Sequence, residues 1–438
     1  MKIAVVGGGL AGMCAAMDLS AAGHSVSLYE KYPNFGGLAS AFDVAGTKLE
    51  RFYHHVFSTD LDLLYLMDEL GLQSSMRWSK DDNGNFYGGK TYPNSPAWRI
   101  LTFSPLSILD RLRLAFAAKY LSLLKDHRPF ESVTAQDWIT RRMGAHVWKV
   151  FWEPLFHAKF GRHAPDISMT WFFGRIKARF GPSKKGAPTG HLGYLMGSTQ
   201  VMVDALRKRL EQGGVRLLPS HGVRKICAEA GKVTGLESKD GFEAYDQVLV
   251  TCATPLLLEM AAGILPEPLK ADLEKFIYHG SVIAVLELKQ SLSPYYWLTI
   301  LDSSLPFLAV IEQTRMIPPE NYQGRHIMYL AKYLDTSEPF YSLGNEAILE
   351  EYYAQLKKVF PNFDPAMVIK AHVMKADYTQ PIVTLGYGAR IPPHRLPVEG
   401  LYLANMTQIY PEDRGMSYSI GMGRKVAKQM LEENLEKA

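Results

Sequence analysis

Within its first thirty residues the chain commits to one kind of architecture. Lys2-Ile3-Ala4-Val5-Val6 is an apolar run after a single lysine, the pattern of a strand buried on both faces, and it stops at Gly7-Gly8-Gly9. Leu10 to Ala22 is alanine-rich and reads as a helix, Gly23 is placed to end it, and Val26-Ser27-Leu28-Tyr29-Glu30 returns at once to a strand. Strand, Gly7-x-Gly9-x-x-Gly12 turn, helix and second strand open a dinucleotide-binding fold. The glycines allow a tight turn, a close backbone approach to a pyrophosphate, and tight packing of helix on strand. The N–H groups at the helix start then favour phosphate. Glu30, at the tip of the second strand, is suited to accept ribose hydroxyls and would repel a 2′-phosphate.

Two later blocks read as parts of the same α/β unit. Thr199 to Gln212 is an amphipathic helix, followed by strands at Val215–Leu218, Gly222–Ala228 and Asp246–Thr251. Gly400 to Ala404 is a further strand, and a helix starts near Gly415. Between these blocks residues 76–195 carry most of the tryptophans, and residues 266–375 alternate strands (Val282–Leu288, Phe307–Glu312, Ile327–Tyr333) before a helix at Asn345–Phe360. The expected fold class is therefore α/β: a Rossmann-like domain of 1–75, 196–265 and 376–438, with an inserted α+β substrate domain of 76–195 and 266–375. No second Gly-x-Gly-x-x-Gly opens a helix after a strand, which argues against a separate NADPH site.

Composition narrows the class. With 47% hydrophobic and 21% charged residues in 438, the chain is globular, not disordered or fibrous. Its 3 cysteines are widely spaced and form neither a disulfide framework nor a metal knuckle. A net charge of +4 is too balanced to imply nucleic acid. The first apolar run is too short for a signal-peptide core, and no run of 18 or more apolar residues predicts a spanning helix. The expected location is cytoplasmic, with peripheral contact at the inner face of a membrane as an option.

Ile3 to Ser40, with Gly36-Gly37 after Glu30, resembles the extended FAD fingerprint of the flavin amine oxidase, protoporphyrinogen oxidase and phytoene desaturase superfamily. In that pattern Gly-Gly is often followed by Arg; here Leu38 stands there. The resemblance implies FAD as cofactor, held by Gly7, Gly9, Gly12, Glu30, Gly36, Gly37 and Ser40. It also implies that Val223 meets adenine through its backbone, and that Gly415 and Met416 close on the flavin. A helix start at Gly415-Met416 aimed at the flavin pyrimidine edge would stabilise the anionic reduced form.

Three further features bear on chemistry. Glu50-Arg51-Phe52-Tyr53-His54-His55-Val56-Phe57 looks like a stretch of UDP-galactopyranose mutases in which a histidine precedes an apolar residue and Phe. This makes His55 the catalytic candidate, as a proton acceptor or a partner of a flavin nitrogen. No metal site is expected, since neighbouring residues on a strand point apart. Phe151 to Gly161 and Trp171 to Arg179 resemble bacterial protoporphyrinogen-oxidase-like proteins. Arg175 and Arg179, one helical turn apart, are candidates for the anionic group of a substrate, against the commoner role of a solvated face. In 105–125, Leu109, Leu112, Phe116, Tyr120, Leu123 and Leu124 share a helix face. Packing of that face on its own domain is the plainer expectation; a peripheral membrane contact through 97–125 is the other.

The expected function is transfer of a hydride from a hydrophobic or anionic, small-molecule or lipid-like substrate to FAD. The alternatives are a redox-neutral flavin sugar mutase and a non-catalytic FAD-stabilised membrane-associated protein. Oligomeric state is left open.

Overall fold

The computed structural model describes residues 1–80 and 82–436. Five strands form a parallel sheet in the order Leu401–Leu403, Gln247–Val250, Lys2–Val6, Ser25–Tyr29 and Arg216–Leu218. The apolar run of the first strand is explained by burial on both faces. Ile3 and Val5 pack with Met13 and Leu19 of the helix Leu10–Ala21, and with Ile420 and Met430 of the helix Met416–Glu436. Ala4 and Val6 face a second cluster with Leu257 and Leu273. The alternation of a strand thus divides one short sequence between two cores.

The predicted strand at Gly222–Ala228 begins later, at Lys225, and joins Lys232–Ser238 and Gly241–Ala244 in a small antiparallel sheet. Val223 therefore lies in the loop ahead of the strand. The reason is local: the N–H groups of Ser220 and His221 are drawn to the carbonyls of Tyr32 and Glu30 at 2.9 and 2.8 Å, so the chain follows the tip of another strand first.

A seven-stranded sheet runs in the order Val368–Pro381, Tyr278–Leu288, His326–Leu334, Ala309–Glu312, Trp297–Ile300, Asn83–Tyr87 and Lys90–Pro93. Every residue of Tyr278–Leu288 is buried. Val282, Ala284 and Leu286 pack under the helix Asn345–Val359, while Ile283 and Val285 join Tyr329 and Leu49 on the other face. The expected domain boundary at 375/376 falls inside the strand Val368–Pro381, whose pairing with Tyr278–Leu288 continues to Pro381. The crossover back to the parallel sheet comes after it.

The aromatic segment is helical. Trp148 and Trp171 are buried, and Trp98 is 60% exposed. The helix predicted in 105–125 spans Ile108–Leu123, with the Ser107 side chain accepting the Asp110 N–H at its start. It packs through Asp110, Leu114, Ala117 and Leu121, not through the apolar face expected to be covered. Asp110 tolerates burial because the His146 ring lies 3.0 Å away and the Ser107 hydroxyl 2.8 Å away. The other face stays open: Ile108, Phe116 and Leu123 are 73, 71 and 67% exposed. Among the described residues no helix is long and apolar enough to cross a membrane.

Candidate active site

A cavity of about 1190 Å³ is lined from both large sheets. A single-ligand pocket holds about 300–1,000 Å³, so the space suits a dinucleotide together with a second molecule. At one end the two glycine runs cross. The Gly36 N–H donates to the Gly8 carbonyl at 2.8 Å, and Gly9 bridges Gly36. Gly36 has φ +107°, which disfavours any side chain there. A Cβ on Gly12 would lie 2.0 Å from the Gly7 carbonyl oxygen, so Gly12 supports the turn from behind while Gly7 and Gly9 line the cavity.

Glu30 holds this corner. Its two carboxylate oxygens accept the Gly8 and Tyr32 N–H groups, each at 2.8 Å. Burial raises its pKa, against the lowering effect of those bonds. Each oxygen retains a further lone pair for a hydroxyl donor. Gly37, Ser40, Val223, Gly415 and Met416 line the same cavity, so the expected cofactor residues converge.

The substrate candidates lie on that cavity too. His55 Nδ1 is 3.3 Å from the Tyr296 hydroxyl, and its ring meets Phe57 and Trp297 edge-on at 4.9 and 5.7 Å. Burial, then the positive charge of Arg179, pushes its pKa down to about 3, so the ring stays neutral. His54 is pushed down to about 4 by burial and Arg414. Arg175 and Arg179 separate in role: Arg175 donates to Asp413 at 3.3 Å, whereas the Arg179 guanidinium stands 5.7 Å over the Phe57 ring.

Sequence reasoning missed the polar centre of this wall. Asp413 accepts from Lys159 Nζ at 2.6 Å, Trp171 Nε1 at 3.0 Å, Gln380 Nε2 at 3.2 Å and Arg175. One carboxylate thus serves Lys159 and Arg175, in the field of Arg414 as well, and these cations drive its pKa far down despite burial. Lys159 is pushed down to about 7, first by burial and then, against the pull of Asp413, by the two arginines. Arg414 donates to the Tyr333 hydroxyl at 2.6 Å, and Tyr333 meets Tyr53 at 3.1 Å. Lys159-Phe160-Gly161 was visible as a motif, but nothing in its spacing pointed to Asp413.

The residues present fit a flavin dinucleotide. Backbone closes on backbone at the glycine corner, a carboxylate stands at that corner, and a helix starts at Met416 on the cavity wall. This fold and cavity define the FAD-dependent oxidoreductases. Within that class the chain belongs to the flavin containing amine oxidoreductase family, whose pattern matches residues 10–431. It is 24% identical over 420 residues to zeta-carotene desaturase from Synechocystis sp. (strain ATCC 27184 / PCC 6803 / Kazusa), covering 83% of each chain. Among solved structures it resembles a protein from Exiguobacterium sp. 255-15 provisionally assigned as a protoporphyrinogen oxidase (TM-score 0.79, 16% identity, 99% of each chain). It also resembles reduced UDP-galactopyranose mutase (TM-score 0.76, 18% identity, 98% of this chain and 95% of the other). Those structural likenesses speak to the fold alone.

Proposed function

We propose that this enzyme is a membrane-associated FAD-dependent dehydrogenase or desaturase acting on a lipid-like substrate. One observation carries the reading: the open apolar face of the helix Ile108–Leu123, continued by exposed Trp98 and Leu101, adjoins the helix that lines the cavity. Lys177 Nζ donates to the Ser122 carbonyl at 3.0 Å, tying Ile108–Leu123 to Met169–Phe180, whose Arg175, Ala178 and Arg179 face the cavity. An apolar surface of this kind is expected at an interaction site, and Arg99, Arg111, Arg113 and Lys119 within 97–125 suit an anionic lipid surface. The zeta-carotene desaturase relative supports a long apolar substrate.

FAD, when bound, supplies the hydride acceptor. In this reading Gly7, Gly9, Gly12, Glu30, Gly36, Gly37, Ser40, Val223, Gly415 and Met416 hold it. The chain's own residues orient the substrate and take the proton lost beside the departing hydride. Lys159, half-neutral near pH 7, is suited to accept that proton at Nζ. His55, neutral throughout, serves as a hydrogen-bonding group. Arg175 and Arg179 face any anionic group the substrate carries. Asp413 already serves four donors and so is not free to take a substrate ammonium. We infer a cytoplasmic protein on the inner membrane face, its FAD domain made of 1–75, 196–265 and the chain that follows the strand Val368–Pro381.

A redox-neutral sugar mutase is the second reading, favoured by the cationic wall of Lys159, Arg175, Arg179 and Arg414, which suits a nucleoside diphosphate. Anaerobic mixing of the yellow holoenzyme with isoprenoid lipids, porphyrinogens, amines and sugar nucleotides separates the two. Bleaching by a lipid with formation of an unsaturated product is expected. Turnover of a sugar nucleotide only after prior flavin reduction, with no net electrons consumed, would overturn it.

A further inference from the structure

Arg51 is a cation on the cavity wall for which no described residue supplies an anion. Its backbone is fixed: the Arg51 N–H donates to the Ser40 carbonyl at 3.1 Å. The preceding Glu50 carboxylate is held by the Thr199 N–H at 2.8 Å and the Tyr194 hydroxyl at 2.9 Å. Arg51 is thus pinned beside the last residue of the Gly36–Ser40 turn. The residue lines the cavity, and its Nε is shielded from water without a partner. Among the described residues no side chain or carbonyl accepts from that guanidinium. Sequestering a charge without a counter-charge is costly, so such a group is completed by an anion that enters the cavity.

The neighbourhood identifies the anion. Arg51 is anchored to the turn whose Gly36 N–H is bonded to Gly8, where the two glycine runs cross. The same turn carries Leu38 where the resemblance leads one to expect an arginine. Leucine cannot supply that charge. We propose that Arg51, entering from the far end of the Ala41–Glu50 hairpin, replaces the missing cation and holds a phosphate oxyanion of FAD. The charge lost in the turn at Leu38 is restored thirteen positions later in the sequence, and the hairpin brings it back. The inference goes beyond the substrate reading and stands whichever molecule the enzyme oxidises.

The test is release of FAD from the holoenzyme, followed by the rise in flavin fluorescence after dilution at several salt concentrations. R51M is expected to release FAD about tenfold faster or more, the effect of losing a charge-assisted hydrogen bond. Its release is also expected to depend less steeply on salt. R51K, which keeps the charge but not the fork, is expected to recover part of the retention. Thermal unfolding after FAD removal gives the second readout. R51M and wild-type apoprotein are expected to melt together, while the gain in Tm on adding FAD shrinks in R51M. R51Q gives the same comparison if R51M folds poorly. Release within twofold of wild type, with a raised KM for substrate, would overturn the proposal and assign the guanidinium to a substrate anion. Equal loss of Tm with and without FAD would overturn it as well, by making Arg51 a structural residue.

Discussion

Lys159 Nζ lies 2.6 Å from a carboxylate oxygen of Asp413, joining the helix Glu153–Phe160 to the chain just ahead of the helix Met416–Glu436. Asp413 stays ionised because cations surround it, and Lys159 loses its proton early because burial and those other cations work against it. The rate of flavin reduction is expected to rise with pH through about 7, as the Lys159 amine becomes neutral. K159M is expected to slow anaerobic reduction about 100-fold or more and to flatten that profile. H55A is expected to slow reduction more than it lowers FAD content and to leave the profile intact, since His55 does not titrate there. An unchanged profile in K159M would remove Lys159 from the proton path.

The same pair links stability to pH. The unfolded chain binds the Lys159 proton up to the ordinary lysine value of 10.5, the folded chain only to about 7, so this group makes stability rise with pH between them. Asp413 is shifted in the same direction and adds to this: its contribution is present above the ordinary carboxylate range and is lost as pH falls through and below it. D413N, which leaves buried cations without their carboxylate, is expected to cost roughly 3–5 kcal/mol in chemical denaturation of the holoenzyme at neutral pH.

Glu30 accepts two backbone N–H groups with its two oxygens. Glutamine keeps one acceptor and turns an NH₂ group towards the other donor. E30Q is expected to lower FAD retention about tenfold, read as flavin absorbance per protein after gel filtration. Retention equal to wild type would show that the carboxylate serves the turn and not the ribose.

The exposed helix face can be altered without touching the core. L112E and F116E are expected to abolish co-sedimentation with anionic vesicles while leaving FAD content intact and stability within about 0.5 kcal/mol. Vesicle binding that survives both substitutions would exclude this face as the membrane contact.

Local patterns carried much of the molecule into view. The first strand, the glycine turn and Glu30 are legible because each depends on near neighbours in sequence, and the parallel sheet agrees with the two strands expected there. The amphipathic pattern in 105–125 locates a helix but not which stripe is covered. That was decided by His146 and Ser107, which let Asp110 turn inward, and by Leu114 and Leu121 beside it. The Lys159–Asp413 pair spans 254 positions, so no spacing rule reaches it. Trp297, which meets His55 and Tyr53 edge-on, comes from the seven-stranded sheet and has no motif around it.

The parallel sheet takes its edge strand from Leu401–Leu403, and the helix Met416–Glu436 that follows packs on Leu10–Ala21. The earliest and latest parts of the described chain therefore build one wall. On a ribosome the glycine turn emerges before its covering helix, which is still unsynthesised while everything between them is made. FAD cannot be enclosed during that interval, so cofactor loading waits for the helix Met416–Glu436. A shortage of flavin at that moment would leave an open cleft exposed to the cell's proteases.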